Sequence, residues 1–305
     1  MKVIIAGGSG FLGTALSSHL ITNGDEVIVL TRRANLAASQ ARRNGPAFIQ
    51  WTPDGQAGPW AQALVGAGAV VNLAGESIAA RRWSPAQKER LRQSRLLPTR
   101  SLTAAIRTLQ TAPPVLVSGS AVGYYGDRGE ESITEASNPG NDFLAGLCVE
   151  WEAAAAEAAA VTRVACVRTG LPLDRREGAL AKMLLPFRLF AGGPFGSGRQ
   201  YMPWIHKTDW VRLVAWIIQN DGAHGAVNAT APAPVTNAEF SKALGHALGR
   251  PSFMPAPPFA LRIALGEMAD ALLLSGQRVL PARATDLGFS FKFKTVDEAL
   301  ADVLK

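Results

Sequence analysis

Short apolar runs and longer amphipathic stretches alternate along the first half of this chain. Val3 to Ala6 is an unbroken apolar run of strand length, and Phe11 to Leu20 follows with its apolar residues on one helical face. Asn23-Gly24 closes that helix, and Glu26 to Leu30 reads as a second strand. Phe48 to Trp51, Ala69 to Asn72, Val115 to Ser118 and Thr162 to Arg168 read as four more. Between them lie a long helical stretch from Gln87 to Gln110, with Pro98 inside it as a point of kinking, and a helix that opens in "DFLAGLCVEWE" at 142–152. Strands alternating with helices imply a doubly wound parallel sheet with right-handed crossovers, an α/β fold.

The turn after the first strand carries chemistry. Gly7, Gly10 and Gly13 are spaced G-x-x-G-x-x-G between a strand and a helix, and a second strand follows. Glycines there let backbone approach a pyrophosphate, and the helix N-terminus offers free N–H groups and a positive dipole end. A Rossmann-type core with Gly7, Gly10, Phe11, Leu12 and Gly13 around a dinucleotide is the expectation. The end of the second strand selects the cofactor. NAD binders carry Asp or Glu there, whereas this chain has Thr31-Arg32-Arg33. Arg32 and Arg33 suit a 2′-phosphate, so the cofactor expected is NADP(H). Leu73, Ala74 and Gly75, in "NLAGE", fall at the carboxyl edge of the sheet, where they would lie against the adenosine side of the cofactor.

Composition narrows the class. The chain has 305 residues, 48% hydrophobic and 18% charged, enough for one large domain or a core plus a smaller lobe. We divide it into an NADP-binding core at 1–170 and a mostly helical, substrate-binding lobe at 171–305, interleaved with the last core strands. No apolar run reaches membrane-spanning length and the start does not read as a signal peptide, so a cytoplasmic protein is expected, with no membrane partner. Cys148 and Cys166 read as buried reduced thiols, and the four histidines show no metal-ligand spacing, so no metal is expected. The net charge of +7 favours anionic partners, and a phosphorylated cofactor satisfies it. No nucleic-acid motif accompanies the charge, so no nucleic acid is expected. The basic segment with Arg81, Arg82, Lys88, Arg90, Arg92, Arg95 and Arg100 reads chiefly as a solvated helix face, with Arg95 the first choice to reach a phosphate.

These motifs, with "SGSAVGYYGD" after the fifth strand, resemble the extended short-chain dehydrogenase/reductase superfamily, the group of sugar-nucleotide epimerases and dehydratases. "AGESIAARRW", "SRLLPTRSL", "FLAGLCVEWE", "GGPFGSGRQYMPWIH" and "TNAEFSKALGHALGRP" are closest to the YfcH-like epimerase family proteins. The tail "PPFALRIALGEMADALLLSGQRVLPARATDLGFSFKF" is similar to their own C-terminal module, about 252–300. The resemblance implies an oxidoreductase or epimerase acting on a small polar or anionic substrate, with a homodimer as an open alternative. It also implies a Tyr-x-x-x-Lys acid/base pair near 143–147, where this chain has Phe143 and Leu147. Without that pair, a non-catalytic NADPH-binding sensor is the second reading.

Candidate replacements come from the resemblance. Ser118 ends the fifth strand where the superfamily places a substrate-polarising hydroxyl, with Ser120 a rival in register. Tyr124 and Tyr125 bring phenols to the same edge, either as proton donor or as packing under the lobe. Leu173 would contact the cofactor by analogy, and Lys182, Arg188 and Arg199 are candidates to hold an anionic substrate. Residues 192–198, "GGPFGSG", read as a lid. His206 reads as structural, and Glu150 as a solvated helical glutamate. The stripe Leu261, Leu265, Met268, Leu272 reads as core or a partner-helix face, and Trp83, Trp151, Trp204, Trp210 and Trp216 as core.

Overall fold

A computed structural model describes residues 1–37 and 45–305. Seven strands form one parallel sheet: β1 (Lys2–Ala6), β2 (Glu26–Thr31), β3 (Ala47–Gln50), β4 (Ala69–Asn72), β5 (Val115–Ala121), β7 (Arg163–Thr169) and β11 (Gly225–Ala229), with β6 and β8 to β10 lying outside it. Their spatial order is β11-β7-β5-β4-β1-β2-β3. The order reverses between β1 and β4, and a crevice opens above the carboxyl ends of those two strands. Ala6 pairs with Asn72 there, and Thr31 ends β2 on the other side of Ala6.

Period-two alternation sends each strand's residues to two helix layers. Val3, Ile5, Val27, Val29, Val71, Val115 and Val117 pack with α1 (Phe11–Thr22) and α6 (Lys207–Gln219). Ile4, Ala6, Ile28, Leu30, Val70 and Leu116 pack with α3 (Pro85–Thr108). Beside α3 lies α4 (Phe143–Ala156), whose N-cap Asp142 accepts from Ala145 N–H at 2.8 Å. A short helix α2 (Ala34–Ala37) follows β2.

The expected six core strands are present, and a seventh, β11, is added beyond β7. β5 runs three residues past Ser118, to Ala121, because it is paired along its whole length by β7. Helix α3 passes through Pro98 unbroken, with Pro98 buried on its core side. Trp151, Trp204 and Trp210 are buried as expected, whereas Trp83 and Trp216 are half-buried.

A third apolar cluster, around Leu173, Phe187, Trp204 and Phe240, lies outside the sheet's two helix layers. Residues of β8 (Leu171–Leu173), α5 (Gly178–Arg188), β9 (Tyr201–Met202), β10 (Trp204–His206), β12 (Val235–Thr236) and α7 (Asn237–Leu248) contribute to it. The C-terminal module follows: α8 (Pro258–Leu265), α9 (Glu267–Ala269) continuing as a π-helical turn at Asp270–Leu274, β13 (Arg278–Val279), α10 (Ala282–Asp286) and α11 (Val296–Val303). β13 pairs with β6 (Ser132–Ile133), so this module is stitched to the core rather than appended to it. Asp209 on α6 fastens the same tail, accepting from Lys292 N–H at 2.9 Å and Phe293 N–H at 2.8 Å.

The stretch 192–198 departs from the expected lid. Met254 donates to Gly192, Ala256 to Pro194 and Gly196 to Ala256, and a Cβ on Gly193 would lie 2.2 Å from the Met254 carbonyl oxygen. The loop is pinned against 254–256 by main-chain bonds that its glycines permit.

Candidate cofactor cleft and active site

Gly7 leaves β1 with φ of +79°, which glycine adopts without cost. A Cβ there would lie 2.6 Å from the Leu73 carbonyl, so this backbone packs directly on Leu73-Ala74. A Cβ on Gly13 would lie 2.3 Å from the Gly7 oxygen and 2.6 Å from the Gly8 Cα, so the first turn of α1 is seated on the loop. Gly10 caps α1 without a side chain, and no acidic residue occupies the first turn. The helix therefore presents free N–H groups and an unneutralised positive end into the crevice. Phe11 and Leu12 are half-buried on that turn, Phe11 lying against Gly178 with the Lys207 ammonium 5.9 Å from its ring.

At the neighbouring strand end, Thr31 is buried and accepts from Arg33 N–H at 3.1 Å, while the Arg32 and Arg33 side chains are exposed. Across the crevice, Asn72, absent from the sequence-based candidates, fixes the wall. Its side chain donates to Thr99 at 2.8 Å and accepts from Ala74 N–H at 3.2 Å. Gly75 is exposed above the Arg95 side chain. Arg95 donates to the Glu76 and Leu91 carbonyls, both at 3.0 Å, and stacks over Trp151. Burial lowers its pKa. These bonds make it a brace for the 75–76 turn.

Leu173 is fully buried with Leu180, Phe187 and Trp204 in the core of the lobe. Its side chain faces protein, which corrects the expectation that it reaches a cofactor. The expected substrate holders Lys182, Arg188 and Arg199 are exposed.

A buried polar chain lies behind the end of β5. Ser118 is fully buried with only a 3.3 Å bond to the Gly119 carbonyl, and Ser120 donates to Glu152 at 2.6 Å. Glu152 also accepts two bonds from Arg168, both at 2.8 Å. Arg168 donates to the Tyr125 hydroxyl at 2.9 Å, and that hydroxyl donates to Asn228 at 2.6 Å. Burial works against the Arg168 charge, but the hydrogen bonds and charge of Glu152 outweigh it and the guanidinium stays protonated. Burial pushes the Tyr125 phenol up to about 12, with Arg168 and Asn228 opposing.

Tyr125 has no exposed surface, so of its two expected roles it takes packing rather than proton donation. Ser118 is likewise sealed from the crevice, which corrects its placement as a substrate-polarising group. Tyr124 differs. Its ring is half-buried with the Arg168 guanidinium 3.4 Å from the centroid, and among the described residues its hydroxyl has no hydrogen-bond partner.

Helix α4 holds no acid/base pair at the expected positions. Phe143 stacks edge-on against Trp83 at 5.2 Å with the Lys88 ammonium 5.0 Å away, and Leu147 is buried. Burial raises the Cys148 thiol to about 11, with Glu152 adding to it. Glu150 pairs with Arg92 at the surface, as expected of a solvated glutamate. The sequence reading missed Arg278, on β13. Its Nε is buried without a partner among the described residues, and its guanidinium lies 5.7 Å from the Tyr201 ring.

The parallel sheet, the glycine cradle and the bare helix end at the switch point define a Rossmann-type dinucleotide-binding protein. Residues 3–229 match the NAD dependent epimerase/dehydratase family, and this chain belongs to it. Residues 256–303 match a domain of unknown function, DUF1731. An Arabidopsis thaliana relative, the chloroplastic epimerase family protein SDR39U1 homolog, is 41% identical, the match covering 100% of this chain and 87% of the relative. The crystal structure of the human epimerase family protein SDR39U1 with NADPH superposes with a TM-score of 0.90 at 37% identity, covering 99% of both chains. A nucleoside-diphosphate sugar epimerase from Corynebacterium glutamicum superposes at 0.78 with 34% identity, covering 100% of this chain and 58% of that one. Among the described residues no helix is long and apolar enough to cross a membrane.

Proposed function

We propose that this protein is a cytoplasmic NADP(H)-dependent oxidoreductase or epimerase of the extended short-chain type, acting on a small anionic substrate without a Tyr-x-x-x-Lys pair. The observation that carries the reading is the cradle at Gly7 and Gly13, which any Cβ would fill, beside the exposed pair Arg32 and Arg33. The α1 N-terminus would hold the diphosphate, and the two arginines a 2′-phosphate. The family match and the NADPH in the human relative's crystal structure support the same cofactor.

Bound there, the nicotinamide gives or takes a hydride. Tyr124 is our candidate for the accompanying proton, because its hydroxyl has no hydrogen-bond partner among the described residues and its ring is stacked by the Arg168 guanidinium at the carboxyl edge of the sheet. Arg278, whose Nε is buried without a partner among the described residues and whose guanidinium lies 5.7 Å from the Tyr201 ring, is our candidate for the anionic group.

Protein loaded with NADPH deuterated at the transferable position should pass label to a metabolite of a cell extract, read by mass spectrometry. Tight NADPH binding without any label would favour the second reading, a non-catalytic NADPH-binding sensor. Phe143 and Leu147 are the residues that argue for it.

A further inference from the structure

Lys207 opens α6, and Asp174 follows β8. The parallel pairing of β8 with β10 sets Leu173 beside His206, so the next residue of each strand meets the other. The Lys207 ammonium pairs there with Asp174 Oδ2. Asp174 has other work as well. Its Oδ1 accepts from Arg176 N–H at 2.8 Å and from Glu177 N–H at 3.2 Å. Those bonds shape the turn that delivers Gly178, at φ of +76°, against Phe11. Lys207 is less fully engaged. An ammonium carries three donors, and among the described residues Asp174 is its one hydrogen-bond partner. Its side chain is 35% exposed, against 13% for Asp174. The stem lies along α1, where Ala15 and His19 line one small hollow with Lys207, Thr208, Val211 and Arg212. The head stands 5.9 Å from the ring of Phe11, the first residue of α1. A lysine with unused donors therefore sits beside the bare helix end, and the protein's own carboxylate holds it.

We infer that Lys207 is a further cofactor-binding residue, reaching for the diphosphate beside the α1 N-terminus, and that Asp174 is the internal anion with which the diphosphate competes. This rests on the reading of the crevice as an NADP(H) site and adds a self-restraining contact to it. A diphosphate at the helix end needs a cation, and the nearest one is already neutralised by Asp174. Removing charge from the two partners should then act with opposite signs on cofactor affinity. An ion pair that merely braces the turn predicts the same sign for both, since either change breaks the same bond. Asp174→Asn suits the comparison, because an amide oxygen can still accept from Arg176 and Glu177 N–H while the charge is gone.

The test is calorimetric titration of the full chain with NADPH, NADH, ADP-ribose and 2′-AMP at fixed salt. Lys207→Gln should weaken the three diphosphates by about tenfold and leave 2′-AMP, which has no diphosphate, unchanged. Asp174→Asn should strengthen the same three by about threefold, because Lys207 is released to them. The double variant should match Lys207→Gln, and Lys207→Arg should keep most of the wild-type affinity. Losses in both single variants overturn the inference and make the pair a brace. NADPH binding that neither variant changes also overturns it, while the cofactor reading stands. Weakened NADPH with unchanged ADP-ribose, or a loss shared by 2′-AMP, would put Lys207 elsewhere on the cofactor and overturns the diphosphate contact. A wild type that binds no dinucleotide sinks the cofactor reading and the inference together. Should Lys207→Gln fail to fold in a melting control, the sign of the Asp174→Asn effect decides alone.

Discussion

Two adjacent tyrosines show how much depends on a single side chain's surroundings. Tyr124 and Tyr125 are indistinguishable in sequence, both phenols in a loop at the carboxyl edge. The fold separates them. Tyr125 is locked between Asn228 and Arg168, and Tyr124 is stacked on Arg168 with its hydroxyl unengaged. Tyr124→Phe should therefore lower label transfer by about 100-fold or more with NADPH affinity unchanged. Tyr125→Phe should instead cost about 1–3 kcal/mol of stability, because it leaves Asn228 and Arg168 short of a partner, and calorimetric melting would read it.

His206 gives a pH signature at the same scale. Its Nδ1 accepts from Thr208 N–H at 3.0 Å, and the ring is packed on Phe293. Burial holds its pKa below 6.5; Asp302 and Asp209 pull it up, and Lys292 and Lys207 push it down. The unfolded chain thus binds this proton more readily than the folded one. Its contribution is full above pH 6.5 and is lost as pH falls from there toward the depressed folded value. Between pH 7 and 5 the wild type should lose more stability in urea melts than His206→Gln does; equal losses would count against this assignment.

Elements differ in how far the sequence exposes them. The glycine turn was legible because spacing, strand and helix all constrain the same few residues. Gly13→Ala should weaken NADPH binding by at least about tenfold, since its Cβ cannot coexist with the Gly7 carbonyl in its present place. Fluorescence titration would check this, and unchanged affinity would mean the loop shifts without consequence. The strands were legible as apolar runs, but β5's extra length was not, since it depends on pairing with β7. In sequence, helix α8 shows only the start of an apolar stripe through Leu261, Leu265, Met268 and Leu272. Period alone reports that a face is apolar, not what covers it, and of the four only Met268 is buried. The glycine-rich 192–198 stretch misled for a related reason: glycine permits mobility and equally permits the close backbone approach seen here.

At the scale of the whole molecule, the core and the C-terminal module are joined by half-buried polar groups that no local pattern reveals. Glu135 accepts from Asn228 N–H on β11 and from Arg283 N–H on α10, while the Arg168–Glu152 pair sits just beneath. We propose that the regions 1–170 and 171–305 fold as one unit. Arg168→Met should lower stability by about 1–3 kcal/mol, because it leaves the half-buried Glu152 carboxylate and the Tyr125 hydroxyl without their guanidinium partner, and the protein should still melt in a single transition. Two separated transitions in calorimetry would indicate independent halves.

We propose that Arg32 and Arg33 select NADP(H) over NAD(H). The direct measurement is the affinity of the wild type and of an Arg32→Ala/Arg33→Ala variant for NADPH and for NADH, by fluorescence titration at fixed salt. The wild type should prefer NADPH, and the variant should lose at least about 10-fold for NADPH while holding its NADH affinity. Equal affinity of the wild type for both, or equal losses in the variant, would contradict that role for the two arginines.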